Sequence, residues 1–177
     1  MNKANNKRRK ESQEKIEKEF VHLIQTKELN EITVSEICKN TKLNRSTFYA
    51  NYLDIYDLAD KIKDRLIEDV TDLYEDERTK GYNSNDFTKI FYLVKENPLF
   101  FKTYFKLENS IFISNQKYLY DDNLSKLFYN DLHIDYHIAF FKAGFNAILK
   151  KWLDNGCIES PEELMDIIKA EYKGKIN

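Results

Sequence analysis

Apolar residues recur every three or four positions along most of this sequence, which is the period of an amphipathic α-helix. The clearest stretch is 134–153, where a stripe of large apolar residues runs beside a second stripe of Ala139, Ala143 and Ala147. Only four glycines and two prolines punctuate the 177 residues, fewer than the turns of a sheet-rich chain need. The sequence therefore predicts an all-α fold.

Helix-start signals divide the chain into a head and a body. Helix one begins near Ser12, and Asp54 can cap a long fourth helix that joins the head to the body. Further helices follow, one of them between residues 114 and 128. We expect a head of residues 1–53 and a helical C-terminal body of residues 54–177.

The charge is distributed unevenly between these two parts. Residues 1–52 hold eleven Lys and Arg against seven Asp and Glu, a balance of +4, while the remainder holds seventeen against twenty-three, a balance of −6. A basic stretch, Lys7-Arg8-Arg9-Lys10, precedes helix one. This asymmetry favours a polyanion as the partner of the head, although such an offset also arises by chance.

Several other classes of protein are disfavoured. Cys38 and Cys157 are far apart and lack metal-ligand spacing, and His133 and His137 have no third ligand nearby, so we expect no metal site. The chain shows neither the apolar run of a signal peptide nor the roughly 20 apolar residues of a membrane span. Catalytic constellations and glycine-rich phosphate loops are absent as well. We expect a soluble cytoplasmic protein that is not an enzyme and carries no cofactor.

Two short helices separated by a tight turn lie within the head. Thr33 and Glu36 form a capping box for a helix that ends near Asn40, and Asn44 can cap the next, which continues to about Tyr52. This pattern is typical of a helix-turn-helix, with the second helix as the recognition helix.

The outward face of that second helix carries side chains suited to a DNA groove. We predict base contacts from Arg45, Ser46 and Tyr49, because an arginine fork fits guanine and an aromatic ring can contact a thymine methyl. We predict phosphate contacts from short polar side chains around them, namely Thr33, Ser35, Asn44, Thr47, Asn51 and Tyr52. Burial of Arg45 and Tyr49 would instead favour a helical scaffold that does not bind DNA.

The segment ITVSEICKNTKLNRSTFYANYLDIYDL, residues 32–58, resembles the DNA-binding signature of TetR-type transcriptional regulators. Residues 47–52 match the recognition run T-[LF]-Y-x-x-[FY], and the similarity covers about residues 8–60. FFKAGFNAILKKWLDNGCIESPEEL, residues 140–164, is similar to the last helices of one branch of that family. Here Lys42 replaces the usual turn glycine and Ile55 replaces a lysine that often contacts phosphate. Lys42 must therefore avoid the left-handed conformation or adopt it with strain.

The resemblance implies a homodimer that binds a palindromic site in double-stranded DNA and, in many members, a small-molecule pocket in the body. We accordingly expect a repressor that a small-molecule ligand releases from its operator. The alternative is a regulator-like protein whose body binds a protein partner instead of a small molecule.

The body offers candidates for both a pocket and an interface. Aromatic residues could line a ligand cavity or simply form the core: Phe91, Phe101, Tyr104, Phe105, Phe141 and Phe145. The small-residue stripe leaves a groove for a second helix, and Asn155-Gly156 should end the helix that carries it as a C-cap. A capping box of Ser160 and Glu163, with Pro161 at the first position, begins the final helix, which adds Leu164 and Ile168. We expect these residues at a dimer interface, unless the alanine stripe packs within one subunit.

Overall fold

The computed structural model describes residues 3–81, 86–107 and 133–172, and every regular element within those ranges is helical. The helices are α1 (Lys3–Leu23), α2 (Val34–Thr41), α3 (Arg45–Tyr49), α4 (Ile55–Leu73), α5 (Glu75–Lys80), α6 (Thr88–Glu96), α7 (Pro98–Leu107), α8 (Ile134–Asp154) and α9 (Pro161–Tyr172), and a 3-10 turn spans Leu29–Glu31. The all-α prediction is confirmed. The helix expected between residues 114 and 128 lies outside the described residues.

The chain divides into two compact units, Met1–Leu66 and Ile67–Asn177. The division falls within α4, so the first unit holds α1, α2, α3 and the first turns of α4. The domain boundary expected between residues 53 and 54 stays a prediction.

The first unit is built around one face of α1. Ile16 and Phe20 of that face are fully buried, together with Ile37 of α2 and Phe48 of α3. The helix begins at Lys3, well before the start predicted at Ser12. The basic stretch 7–10 is therefore part of α1, and the expectation that it precedes helix one is wrong.

Local caps define the two short helices. The Thr33 hydroxyl oxygen accepts the N–H of Glu36 at 3.2 Å, as the sequence predicts for the start of α2. Asn44 occupies the cap position of α3 but makes no side-chain hydrogen bond there, so the predicted cap bond is wrong. Between the helices Lys42 adopts φ +57°, a left-handed conformation that usually selects glycine.

In the second unit, α6 packs against α9 and α7 packs against α8. Trp152, at the end of α8, is buried, and its indole N–H donates to the main-chain oxygen of Glu159 at 3.2 Å. The predicted end of α8 is confirmed, because Gly156 adopts φ +80° and the next N–H returns to the oxygen of Trp152 at 2.9 Å. A capping box of Ser160 and Glu163 begins α9.

Replacing Lys42 with glycine tests the strain in the turn between α2 and α3. An L-residue in the left-handed conformation costs about 1–2 kcal/mol, which glycine avoids. Glycine gives back about 0.5–1 kcal/mol of that stabilisation, because its unfolded state has more conformational freedom. We expect Lys42→Gly to raise the free energy of unfolding by about 0.5–1 kcal/mol in urea titrations of the DNA-free protein. Lys42→Ala, the matched control, should stay within about 0.5 kcal/mol of the parent, since alanine keeps the strain. A glycine variant no more stable than the alanine variant would show that the turn carries no strain.

Candidate nucleic-acid interface

Helix α3 presents one polar face to solvent and buries the other. Arg45, Ser46 and Tyr49 are exposed, Tyr49 at 55%, whereas Phe48 between them is fully buried. The edge of the Tyr49 ring meets the Phe48 ring with centroids 5.6 Å apart. The three predicted base-reading residues therefore share one accessible surface. Burial of Arg45 and Tyr49, which would have favoured a helical scaffold that does not bind DNA, is not observed.

The amino-terminal edges of α2 and α3 lie side by side. Thr33, Ser35 and Asn44 are exposed, and a guanidinium nitrogen of Arg45 donates to the Ser35 hydroxyl. This contact holds Arg45 across the two helices. Burial raises the pKa of the Cys38 thiol behind them, and the positive charge of Arg45 opposes that rise.

Tyr52 lies inside the first unit. It is 2% exposed, and its hydroxyl donates to the Glu17 carboxylate at 2.9 Å, while Arg65 binds the other oxygen of that carboxylate. Burial, followed by the negative charge of Glu17, raises the pKa of the Tyr52 phenol. The phosphate contact expected for Tyr52 is contradicted, because its hydroxyl is occupied within the core.

Asn51 is also buried, at 8% exposure. Its side-chain N–H donates to the main-chain oxygen of Thr47 at 2.8 Å, and its side-chain oxygen accepts from Nε of Arg9 at 3.0 Å. The ammonium of Lys61 donates to its main-chain oxygen at 3.0 Å. A direct phosphate contact by Asn51 is contradicted in the same way, since both ends of its amide are bound inside the protein. Thr47 itself is half-buried.

Two cationic residues lie just beyond the end of α3, where Arg9 of α1 and Lys61 of α4 both reach Asn51. Arg9 belongs to the basic stretch for which the sequence already favoured a polyanion partner, but its bond to Asn51, 42 positions away, was not predicted. Lys61 was not singled out in the sequence. Ile55, where relatives often have lysine, is 7% exposed and part of the core.

Three of the predicted pocket residues, Phe91, Phe141 and Phe145, form an aromatic cluster in the second unit. Phe91, Phe101, Tyr104 and Phe145 are buried, and Phe105 and Phe141 are half-buried. Phe145 lies 5.6 Å from Phe91 and 5.8 Å from Phe141 between ring centroids. These distances are typical of packed core rings, and a ligand pocket here stays a prediction.

The predicted interface residues separate into two groups. Ala139, Ala143 and Ala147 are exposed, so in the described part of the chain they do not form the core of one subunit. Leu164 and Ile168 are only 4% and 5% exposed. Their expected place at a dimer interface is contradicted, because the face of α9 that carries them is buried within the unit. Ile167, between them, is 46% exposed.

The described residues also bear on metal binding and membrane insertion. His133 is exposed and its ring lies 6.2 Å from that of Tyr136. Within residues 3–81, 86–107 and 133–172, no three His, Cys, Asp or Glu side chains are grouped as metal ligands would be. No helix in these ranges combines the length and the apolar character needed to cross a bilayer.

Residues 83–172, just over half of the chain, match a family model described as "Transcriptional regulator C-terminal region". Among curated proteins, none matches the chain. The matched residues belong to the body, so the helix-turn-helix geometry and the family match concern different parts of the sequence.

Replacing Tyr52 with phenylalanine tests whether its hydroxyl serves the core or the DNA. Loss of the buried hydrogen bond to Glu17 should lower the free energy of unfolding by about 1 kcal/mol. Affinity for a bound DNA fragment should not change at a temperature where both proteins are folded. Tyr49→Phe is the control for stability only, and its free energy of unfolding should not change, because the hydroxyl of that exposed residue makes no such buried bond. Weaker DNA binding by Tyr52→Phe without loss of stability would restore the phosphate contact.

Proposed function

The chain belongs to the TetR family of transcriptional regulators, and on this premise we propose that it is a sequence-specific DNA-binding repressor. It binds a palindromic operator as a homodimer in the cytoplasm and catalyses no reaction. The observation that carries the proposal is the exposed trio Arg45, Ser46 and Tyr49 on a helix whose opposite side is buried through Phe48.

The chemistry of this surface suits base readout. Arg45 has five N–H donors, and its bond to Ser35 uses one of them, so the planar fork can still address O6 and N7 of guanine. Tyr49 offers a ring for a thymine methyl. Thr33, Ser35 and Asn44 lie exposed at the amino-terminal edges of α2 and α3, where short polar groups can bind phosphates.

Dimerisation would use the exposed small-residue stripe of α8. Ala139, Ala143 and Ala147 follow one another at single-turn intervals, which lets a second helix backbone approach closely. Exposed Phe140 and Tyr136 enlarge this apolar face. An isologous contact through this stripe gives a two-fold dimer, and its operator has half-site centres about 34 Å apart or slightly more.

Regulation would come through the body. We propose release from the operator by a small-molecule effector, as the aromatic composition of the cluster around Phe145 allows. The alternative, a protein partner in place of the small molecule, is favoured by the close ring contacts of the same cluster, which resemble a packed core. Selection of bound fragments from random DNA, followed by a metabolite screen for release, separates the two: a metabolite that releases the fragment supports the effector.

Arg45→Ala tests base readout. Loss of the guanine contact should weaken operator binding by about 1–3 kcal/mol and relax the preference at one base pair in each half-site. The measurement is the sequence preference recovered from random DNA. Lys39→Ala removes an exposed positive charge from α2 and should lower affinity without changing that preference. Equal preferences for the Arg45 variant and the parent would exclude Arg45 from base reading.

Ala143→Arg tests the dimer. A long charged side chain in the stripe should keep two α8 helices apart and give a folded monomer that binds the operator far more weakly. Sedimentation velocity measures the mass, and circular dichroism checks the fold. Thr79→Arg adds the same charge on the exposed surface of α5 and should leave the dimer intact. An intact dimer of the Ala143 variant with normal operator binding would contradict the interface.

A further inference from the structure

Arg9 stands out among the cations of the first unit because the protein holds it beside the recognition helix. Its Nε donates to the side-chain oxygen of Asn51 at 3.0 Å, and Asn51 follows α3 directly, two residues after Tyr49. The guanidinium is therefore fixed at the carboxyl-terminal end of α3, on the side opposite to Arg45 and Ser35.

The anchor of Arg9 is itself immobilised from two directions. The amide of Asn51 donates to the oxygen of Thr47 in α3, and its main-chain oxygen accepts from Lys61 of α4. A buried residue whose side chain is bonded to α1 and α3 and whose main chain is bonded to α4 has little freedom to turn. The fold thus determines the position of the Arg9 guanidinium.

The two positive charges beside Asn51, those of Lys61 and Arg9, differ in whether a carboxylate compensates them. Lys61 lies 2.9 Å from the carboxylate of Asp57, so its charge is balanced within the protein. Asp57 also accepts from Leu53, and ties to Lys61 and Leu53 keep its pKa low, so it remains ionised. In the part of the chain that the structure describes, Arg9 has no carboxylate within 4.0 Å, and it is exposed. The positive charge of Arg9 therefore faces solvent.

We propose that Arg9 binds a DNA backbone phosphate beside the carboxyl-terminal end of α3 and that Asn51 is the residue that positions it. This inference rests on the DNA-binding function proposed above. The Nε bond leaves the two Nη groups, a fork that matches the oxygens of one phosphate. Helix α3 is about 7.5 Å long and the major groove about 12 Å wide, so a group at the end of the helix meets the groove wall.

A purely structural role for Arg9, bonding Asn51 at the end of α3, makes a different prediction. In that case its loss would cost some stability but would not change the number of phosphates that the protein neutralises. The salt dependence of DNA affinity separates these roles, because its slope reports released counterions and not fold stability.

The test compares Arg9→Gln with Arg8→Gln in the full chain, on the fragment selected from random DNA. Both variants lose one charge from adjacent exposed positions, but only Arg9 is bonded to Asn51. Arg9→Gln should lower the affinity about ten-fold and flatten the slope of log affinity against log salt by about 1.8 for a dimer, or about 0.9 per subunit. Arg8→Gln should have a clearly smaller effect on both.

Asn51→Ala tests the positioning role. It removes the side-chain acceptor of Arg9 but keeps the main-chain acceptor of Lys61, so it should reproduce most of the Arg9→Gln effect. The double variant Arg9→Gln with Asn51→Ala should be no weaker than Arg9→Gln alone. Circular dichroism checks folding; if Asn51→Ala does not fold, the Arg9 and Arg8 comparison still decides the phosphate contact.

Single methylphosphonate substitutions in the fragment locate the contact. One neutral linkage per half-site should weaken binding by the parent and by Arg8→Gln, but not by Arg9→Gln. Equal slopes and the same interference pattern for Arg9→Gln and Arg8→Gln would overturn this inference while leaving DNA binding intact. Failure of the parent protein to select any DNA sequence would overturn the proposed function itself.

Discussion

The burial of Phe48 beneath α3 is the contact on which the proposed DNA-facing surface depends. A helix of five residues is far below the roughly 12–15 residues at which isolated helices become marginally stable in water. Its shape is therefore imposed by tertiary contacts, with Phe48 fully buried and Tyr52 tied to Glu17. The exposed residues Arg45, Ser46 and Tyr49 keep their spacing because the core holds Phe48 and Tyr52 in place.

Polar residues of the first unit divide into two groups with different tasks. The buried group, Glu17, Asn51 and Tyr52, satisfies its hydrogen bonds internally and connects α1, the end of α3 and α4. A carboxylate such as Glu17 is costly to bury alone, and the partners from Tyr52 and Arg65 offset that cost. The exposed group, which includes Arg45, Ser46 and Tyr49, faces solvent. For the proposed function, a surface that meets DNA in one orientation needs both groups.

The sequence predicted features that depend on neighbouring residues and was less successful with those that depend on distant ones. The Thr33 cap, the capping box at Ser160 and the turn at Gly156 involve partners within a few positions, and all three are confirmed. Tyr52 and Asn51 were misjudged because their partners lie 35 and 42 positions away in α1. Leu164 and Ile168 were misjudged for a related reason. The pattern identified one apolar face of α9 but could not tell which element covers it.

For the proposed base readout, the shortness of α3 limits how much DNA sequence the helix can contact. A helix that rises about 7.5 Å spans roughly two base-pair steps of 3.4 Å, so its direct contacts can specify only a few base pairs. A DNA sequence that short recurs by chance throughout any genome, so the competing sites outnumber the correct one. In the proposed homodimer, selectivity then resides in the combination of two such short sequences at a fixed separation and in the bending preference of the DNA between them. In this protein, discrimination between the operator and other DNA would be a property of the dimer and not of either DNA-binding unit alone.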